Sequence, residues 1–198
     1  MEIIKLNEKI SYIEATDDPL SADIGIIHDG DRSWLFDVGA DRRVLELLSE
    51  RYHIVLSHFH PDHIGNMSKV NRDSVYMTKN TQRYTKVKGR MVHGDLRIGG
   101  VHIFLLPSSH AKGCLGLEVD GEYAFVGDAL YCKQEGGKLI FNAQLLQNQL
   151  ETLKRIDAPY LLVSHRPGLV RSKAEAIEEL EAVYARRGDG PDIIIEAF

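Results

Sequence analysis

The sequence has little of what would staple, anchor or disorder a chain. It has only two cysteines, Cys114 and Cys132, in no metal-type pairing. That excludes a disulfide framework and a thiolate zinc knot, and leaves two free thiols in a reducing compartment. No run of about 18 apolar residues occurs, so nothing reads as a membrane span. The start, Met-Glu-Ile-Ile-Lys-Leu-Asn, has no basic region leading into an apolar stretch, so no signal peptide is expected and the chain reads as cytoplasmic. Positive charge is in deficit: 24 Lys and Arg stand against 29 Asp and Glu, for a net charge of -5 and a pI near 6.0. That balance argues against non-specific nucleic-acid binding. No Gly-x-Ser-x-Gly elbow is present, so no serine triad of that kind is visible.

What is present has the balance of a globular chain, with 43% apolar and 27% charged residues. A chain of 198 residues can remove roughly 70% of its unfolded surface from water without staples. No linker or composition break appears, so residues 1–198 read as one domain. Short apolar runs are joined by Asp29-Gly30-Asp31, Gly99-Gly100, Asp120-Gly121 and Gly136-Gly137, which supply the positive φ angles of tight hairpins. Three helices are expected, over 41–51, 142–157 and 172–187. Asn142 is a candidate N-cap, Ser172 with Glu175 has capping-box spacing, and Gly188 is the expected stop.

One arrangement occurs twice. A hairpin ending in Leu35-Phe36-Asp37-Val38-Gly39 is followed by a helix, the strand Ile54-Val55-Leu56-Ser57 and His58. A hairpin ending in Ala124-Phe125-Val126-Gly127-Asp128 is followed by a helix, the strand Leu161-Leu162-Val163-Ser164 and His165. Two such halves, packed sheet to sheet with helices outside, would set both histidines at one rim.

The segment that carries chemistry is His58-Phe59-His60-Pro61-Asp62-His63. Three histidines and an aspartate in six residues answer no packing need, since charged imidazoles would repel one another. Imidazole and carboxylate ligands without thiolate favour zinc or iron. Ligands so closely spaced cannot all reach one tetrahedral ion, so two adjacent metals are expected.

This string after an apolar strand resembles the signature of the metallo-β-lactamase superfamily. Asp37 resembles the aspartate that supports the family's metal loop, His110 its next histidine ligand, Asp128 its bridging aspartate and Ser164-His165 its last histidine. The resemblance implies an αββα sandwich of the α/β (α+β) class. It also implies one metal held by His58, His60, His110 and Asp128, and a second held by Asp62, His63, Asp128 and His165. Two zinc ions are expected, with iron or manganese as alternatives. The chemistry implied is hydrolysis, in which a hydroxide bridging the ions attacks a small ester, thioester or lactone and Asp62 orients it. The ligand set is closest to the glyoxalase II-like branch. Metallo-phosphodiesterase, mononuclear iron persulfide dioxygenase and a non-catalytic metal-stabilised module are the competing readings.

The remaining features read more plainly. Lys79, Arg83, Lys86, Lys88 and Arg90 fall in a stretch with no acidic residue, which could steer an anionic small molecule or be a solvated face. His28, His53, His93 and His102 lack partner spacing and read as structural or exposed. Cys114 and Cys132 read as small buried hydrophobes.

Overall fold

The computed structural model describes residues 1–196. Along the chain run β1 (Ile4–Lys5), β2 (Ile10–Ile13), the short ladder β3 (Thr16–Asp17) with β4 (Leu20–Ser21), β5 (Ile24–Asp29), β6 (Arg32–Phe36) and β7 (Tyr52–Val55). The one-turn helix α1 (Pro61–Ile64) follows, then β8 (Arg72–Met77), α2 (Lys79–Gln82) and β9 (Arg90–Met91). Next come β10 (Leu96–Ile98), β11 (Val101–Leu105), β12 (Leu115–Val119), β13 (Tyr123–Gly127), β14 (Lys133–Glu135) and β15 (Lys138–Asn142). The chain continues through α3 (Ala143–Arg155), β16 (Tyr160–Val163), β17 (Val170–Ser172), α4 (Lys173–Tyr184) and β18 (Asp192–Glu196).

Two large sheets result, ordered β1-β2-β5-β6-β7-β8-β9 and β10-β11-β12-β13-β16-β17. Each repeats one device: an antiparallel hairpin, β5–β6 or β12–β13, whose second strand pairs in parallel with β7 or β16. The parallel pairing places Val55 beside Phe36 and Val163 beside Gly127. The loops after these strands therefore leave from the same edge, carrying His58 and His165.

The core lies in three layers. Between the sheets, Trp34, Phe36, Val55, Ile103, Phe125 and Leu162 interleave, with Phe36 stacked on Phe125 at 5.3 Å between ring centres. Gly25 is required there, because a Cβ would collide with the Phe125 ring. Helices α3 and α4 cover the outer face of the second sheet through Leu146, Leu150, Leu153, Ala176 and Leu180. The outer face of the first sheet is covered by Val44, Leu48, Met67 and Val70 from irregular segments.

Four details depart from expectation. The helix expected over 41–51 is only a 3₁₀ turn at Arg42–Glu46. Asp41 caps it and grips Arg43, and Leu47 N–H returns to the Val44 carbonyl three residues back, so the segment is wound too tightly to continue as an α-helix. Helix α4 ends at Tyr184, before Gly188, in tight turns from Arg186 to Val183 and Arg187 to Tyr184. The run before Gly136-Gly137, expected to be apolar, forms a strand only over Lys133–Glu135, whose three residues are polar and exposed. A third sheet, β14-β15-β18, was not foreseen; β18 pairs with β15 from far along the chain. Asn142 and Ser172 do cap α3 and α4. Among the described residues no helix is long and apolar enough to cross a membrane.

Candidate metal centre

His58 leaves β7 fully buried, and its loop turns at once into α1, which presents Asp62 and His63. Asp37 fixes this loop from behind. Its carboxylate accepts from Ser57 N–H at 2.7 Å and Ser57 Oγ at 2.6 Å, and lies 2.7 Å from His63 Nδ1. Asp37 itself sits at φ 62°, a left-handed conformation that costs a non-glycine residue about 1–3 kcal/mol and recurs at functional sites.

The other candidate ligands come from the second half. His110 is held by Ser108, whose Oγ accepts from His110 N–H at 3.0 Å and donates to the Ala129 carbonyl at 2.8 Å. That contact ties the His110 loop to the Asp128 turn. Asp128 follows Gly127, which has φ 53° and packs where a Cβ would lie 2.9 Å from Ser57 Cβ. Ser164 N–H donates to the Gly127 carbonyl at 3.1 Å, so the Asp128 and His165 turns are joined as well.

Sequence reasoning missed Asp23 and Tyr131. Asp23 Oδ2 accepts from His165 N–H at 2.8 Å and lies 3.1 Å from Ser164 Oγ. It braces a residue at φ 58°. Tyr131 Oη donates to the Ser164 carbonyl at 2.7 Å from the other side. The one signal that could have pointed to this brace is the repeated Ser-His pair, Ser57-His58 and Ser164-His165. Each serine hydroxyl meets a buried aspartate.

All seven residues expected to bind metal converge. His58, His60, His110 and Asp128 form one group and Asp62, His63, Asp128 and His165 another, with ligand atoms in each within 4.8 Å of one another. His110 Nε2 lies 3.0 Å from His60 Nδ1 and 3.3 Å from Asp128 Oδ2. His63 Nε2 lies 3.4 Å from both Asp62 Oδ2 and Asp128 Oδ2, and His165 Nε2 lies 3.0 Å from Asp62 Oδ2. Tetrahedral bonds of about 2.0–2.1 Å to zinc set ligand atoms about 3.3 Å apart, so these spacings fit the edges of metal polyhedra. His58 Nε2, His63 Nε2 and Asp128 Oδ1 are buried with no hydrogen-bond partner. Buried orphans are costly, and a cation in each of the two groups would satisfy all three.

The electrostatics agree. Burial lowers the pKa of His58, and the neighbouring histidines lower it further; burial also lowers His60 and His110. These imidazoles are neutral, as ligation requires. Burial most strongly opposes ionisation of Asp62 and Asp128, but the surrounding histidines, led by His165 for Asp62 and His63 for Asp128, together outweigh it and hold both below the usual carboxylate range. Burial also opposes a charge on His63, yet Asp37 and Asp128 push it up to about 10. A cation at Nε2 would take the place of that proton.

The histidines set aside in the sequence lie elsewhere. His28 is exposed, His53 contacts Ser74 Oγ at 2.7 Å, and buried His102 pairs with Glu118. Both cysteines are buried and free. Cys132 lies at the mouth of the metal centre, in a cleft of about 620 Å³ lined also by His60, His110, Asp128, Tyr131 and His165.

No family model matches the sequence. A UPF0173 metal-dependent hydrolase of Enterococcus faecalis is 28% identical over 86 residues, a stretch covering 39% of this chain and 37% of that protein. The crystal structure of DIM-1 metallo-β-lactamase superposes with a TM-score of 0.70 at 14% identity, covering 93% of this chain and 96% of that one. An archaeal metallo-β-lactamase superfamily protein from Sulfolobus tokodaii gives 0.62 at 17% identity, over 91% and 88% of the two chains. The flavodiiron protein of Giardia intestinalis gives 0.66 at 12% identity, over 91% of this chain and 59% of that one. The paired sheets, the helical cover and the seven converging side chains thus sit on a shared scaffold: this chain has the metallo-β-lactamase fold.

Proposed function

We propose that this protein is a dinuclear metal-dependent hydrolase of a small ester, thioester or lactone, with zinc as the metal. The observation that carries this reading is that two four-residue groups share Asp128 at the base of an open cleft. The name of the Enterococcus faecalis relative supports the class of activity. A purely structural ion needs four closed ligands, whereas here seven residues converge and four of them, His60, His110, Asp128 and His165, line a cleft open to solvent.

His58, His60, His110 and Asp128 would hold one ion, and Asp62, His63, Asp128 and His165 the other. When bound, such a pair supplies a water acidified toward neutral pKa and a Lewis acid for the oxygen on which charge develops. The chain's own residues do the rest. Asp62 is partly exposed beside His165, and its ionised carboxylate can take a proton from the attacking water and return it to the leaving group. Asp37 and Asp23 fix the histidines on either side, so little reorganisation is needed when substrate arrives. The second group is as complete as the first, which favours two ions over a mononuclear iron dioxygenase.

Elemental analysis of purified protein, paired with thioester, lactone and phosphodiester substrates, tests the reading. Close to two metals per chain are expected, with thioester or lactone turnover lost to chelator and restored by zinc. Turnover by fully chelated protein would overturn it, as would one iron per chain with oxygen consumption. Faster cleavage of phosphodiesters than of any ester would reassign the substrate.

A further inference from the structure

Beside the metal cleft lies a second cavity of about 520 Å³, walled by Phe59, Ile64, Met67, Tyr84 and Val87, with Lys86 at its edge. His60 lines both this cavity and the cleft. We propose that the cavity receives an apolar acyl chain of the substrate, and that Lys86 at its edge binds a negative charge carried beyond that chain. The proposal rests on the hydrolase reading and narrows its substrate to an anionic amphiphile.

The cavity is a built feature, not a gap left by loose packing. One wall is the metal loop and α1. The other is the turn after α2, which is fixed by its own hydrogen bonds: Gln82 Nε2 donates to the Val87 carbonyl at 2.8 Å and Thr85 Oγ1 donates to the same oxygen at 3.0 Å. Gly89 lets that turn close, since a Cβ there would lie 2.7 Å from the Val75 carbonyl oxygen. The turn thus stands apart from α1 without collapsing onto it. Tyr84 bridges the two walls by stacking on Phe59 at 4.4 Å and 15°, although it remains 61% exposed. A tyrosine left that open beside an apolar cavity supplies a flat contact surface.

The charge points the same way. The chain is acidic overall, yet 79–90 contains only basic ionisable groups apart from Tyr84. Lys79, Arg83, Lys86 and Lys88 are exposed, and none forms an ion pair among the described residues, whereas Arg90 lies over the Tyr76 ring. An unpaired Lys86 at the edge of an apolar cavity, in a segment with three further unpaired cations, suits a ligand that is apolar along its length and negative beyond it. A neutral chain would use the cavity and ignore the charges.

The test uses a series of acetyl, butyryl, hexanoyl and octanoyl thioesters with the zinc-loaded protein, and calorimetric binding of octanoate and octanol to the metal-free protein. Each added methylene buried should raise kcat/KM about three- to fourfold until the cavity is full. Ser68→Trp, which fills the cavity, should cut the octanoyl-to-acetyl ratio at least tenfold. Octanoate should bind metal-free protein more tightly than octanol, and the surface change Lys86→Glu should remove that preference and its salt dependence. A flat acyl series together with no octanoate binding overturns the proposal while leaving the hydrolase reading intact. Octanol binding as tightly as octanoate overturns the charge assignment. Octanoate binding that Ser68→Trp abolishes, with no ester, thioester or lactone turned over, supports the cavity assignment and defeats the hydrolase reading instead.

Discussion

The first half of the chain delivers His58, His60, Asp62 and His63 from one loop behind β7, whereas the second half delivers His110, Asp128 and His165 from the ends of three different strands. Both halves brace their ligands in the same way, with a buried aspartate against a serine: Asp37 on Ser57 and Asp23 on Ser164. The clustered ligands are constrained by covalent connection and need one brace. The dispersed ligands depend on tertiary hydrogen bonds, from Ser108 to Ala129, from Ser164 to Gly127 and from Tyr131 to Ser164. A site assembled this way is locally robust on one side and only as good as its sheet register on the other.

The sharpest way to break this comparison is at the one residue common to both groups. Asp128→Ala should strip both ions and lower turnover by more than about a hundredfold, above the 10- to 100-fold typical of losing a residue that merely supports a ligand. His58→Ala should spare the second group and leave about one ion per chain. Metal content measured alongside activity checks both. Two ions retained in Asp128→Ala would mean that the halves bind independently.

The braces come next. Asp37→Ala leaves buried His63 without its partner, a change that costs about 3–5 kcal/mol, and should weaken metal affinity about 10- to 100-fold. Asp23→Ala leaves His165 N–H, Ser164 Oγ and Ala15 N–H short of an acceptor. A buried unsatisfied group costs about 1–3 kcal/mol, so the stability loss should be smaller, and the affinity loss should fall on the second ion alone. Urea unfolding and chelator competition separate the two effects. Equal losses of both ions in Asp23→Ala would show that its brace reaches beyond His165.

The same contrast governs what could be read without coordinates. The His58–His63 cluster is legible because its spacing is local, and the repeated hairpin–helix–strand–histidine order located His165 and the sandwich. Asp37, His110 and Asp128 were reached through resemblance to known motifs. Asp23 was not reached, because a lone acid before a strand carries no periodic or spacing signal and its partner lies in the other half. The expected helix over 41–51 failed for a related reason: its leucines fit a helical face, but Asp41 gripping Arg43 winds the segment tight and Val44 and Leu48 reach the core without further turns. The third sheet escaped notice because Ile193, Ile194 and Ile195 acquire meaning only against β15.

Where the halves touch, Gly127→Ala should be felt by both. It places a side chain at φ 53° and drives a Cβ to within 2.9 Å of Ser57, next to His58. Left-handed strain and overpacking together should cost about 2–4 kcal/mol. The loss should appear as a lower Tm and as weaker binding of both ions. A lower Tm with unchanged metal affinity would mean that the contact is mere packing.

The smallest effect separates a pair that serves the site from one that does not. Asp37–His63 and Glu118–His102 are both buried carboxylate–imidazole pairs, but the second spans β11 and β12, where the two residues face each other in register. Burial opposes ionisation of Glu118, yet His102 at 2.9 Å and Ala158 N–H at 2.7 Å outweigh it and hold the carboxyl below its ordinary value of 4.5. The unfolded chain therefore takes up a proton before the folded one does. The pair's contribution is full above about pH 4.5 and is lost as pH falls through the lower folded value. Glu118→Gln should flatten the acid limb of stability against pH, while metal content and turnover at neutral pH stay at wild-type levels. Comparing the two metal-free proteins cancels the titration of the metal ligands, which is the same in both. Parallel acid limbs would mean that the fold does not hold the Glu118 carboxyl below its ordinary value and that its contacts with His102 and Ala158 serve packing alone.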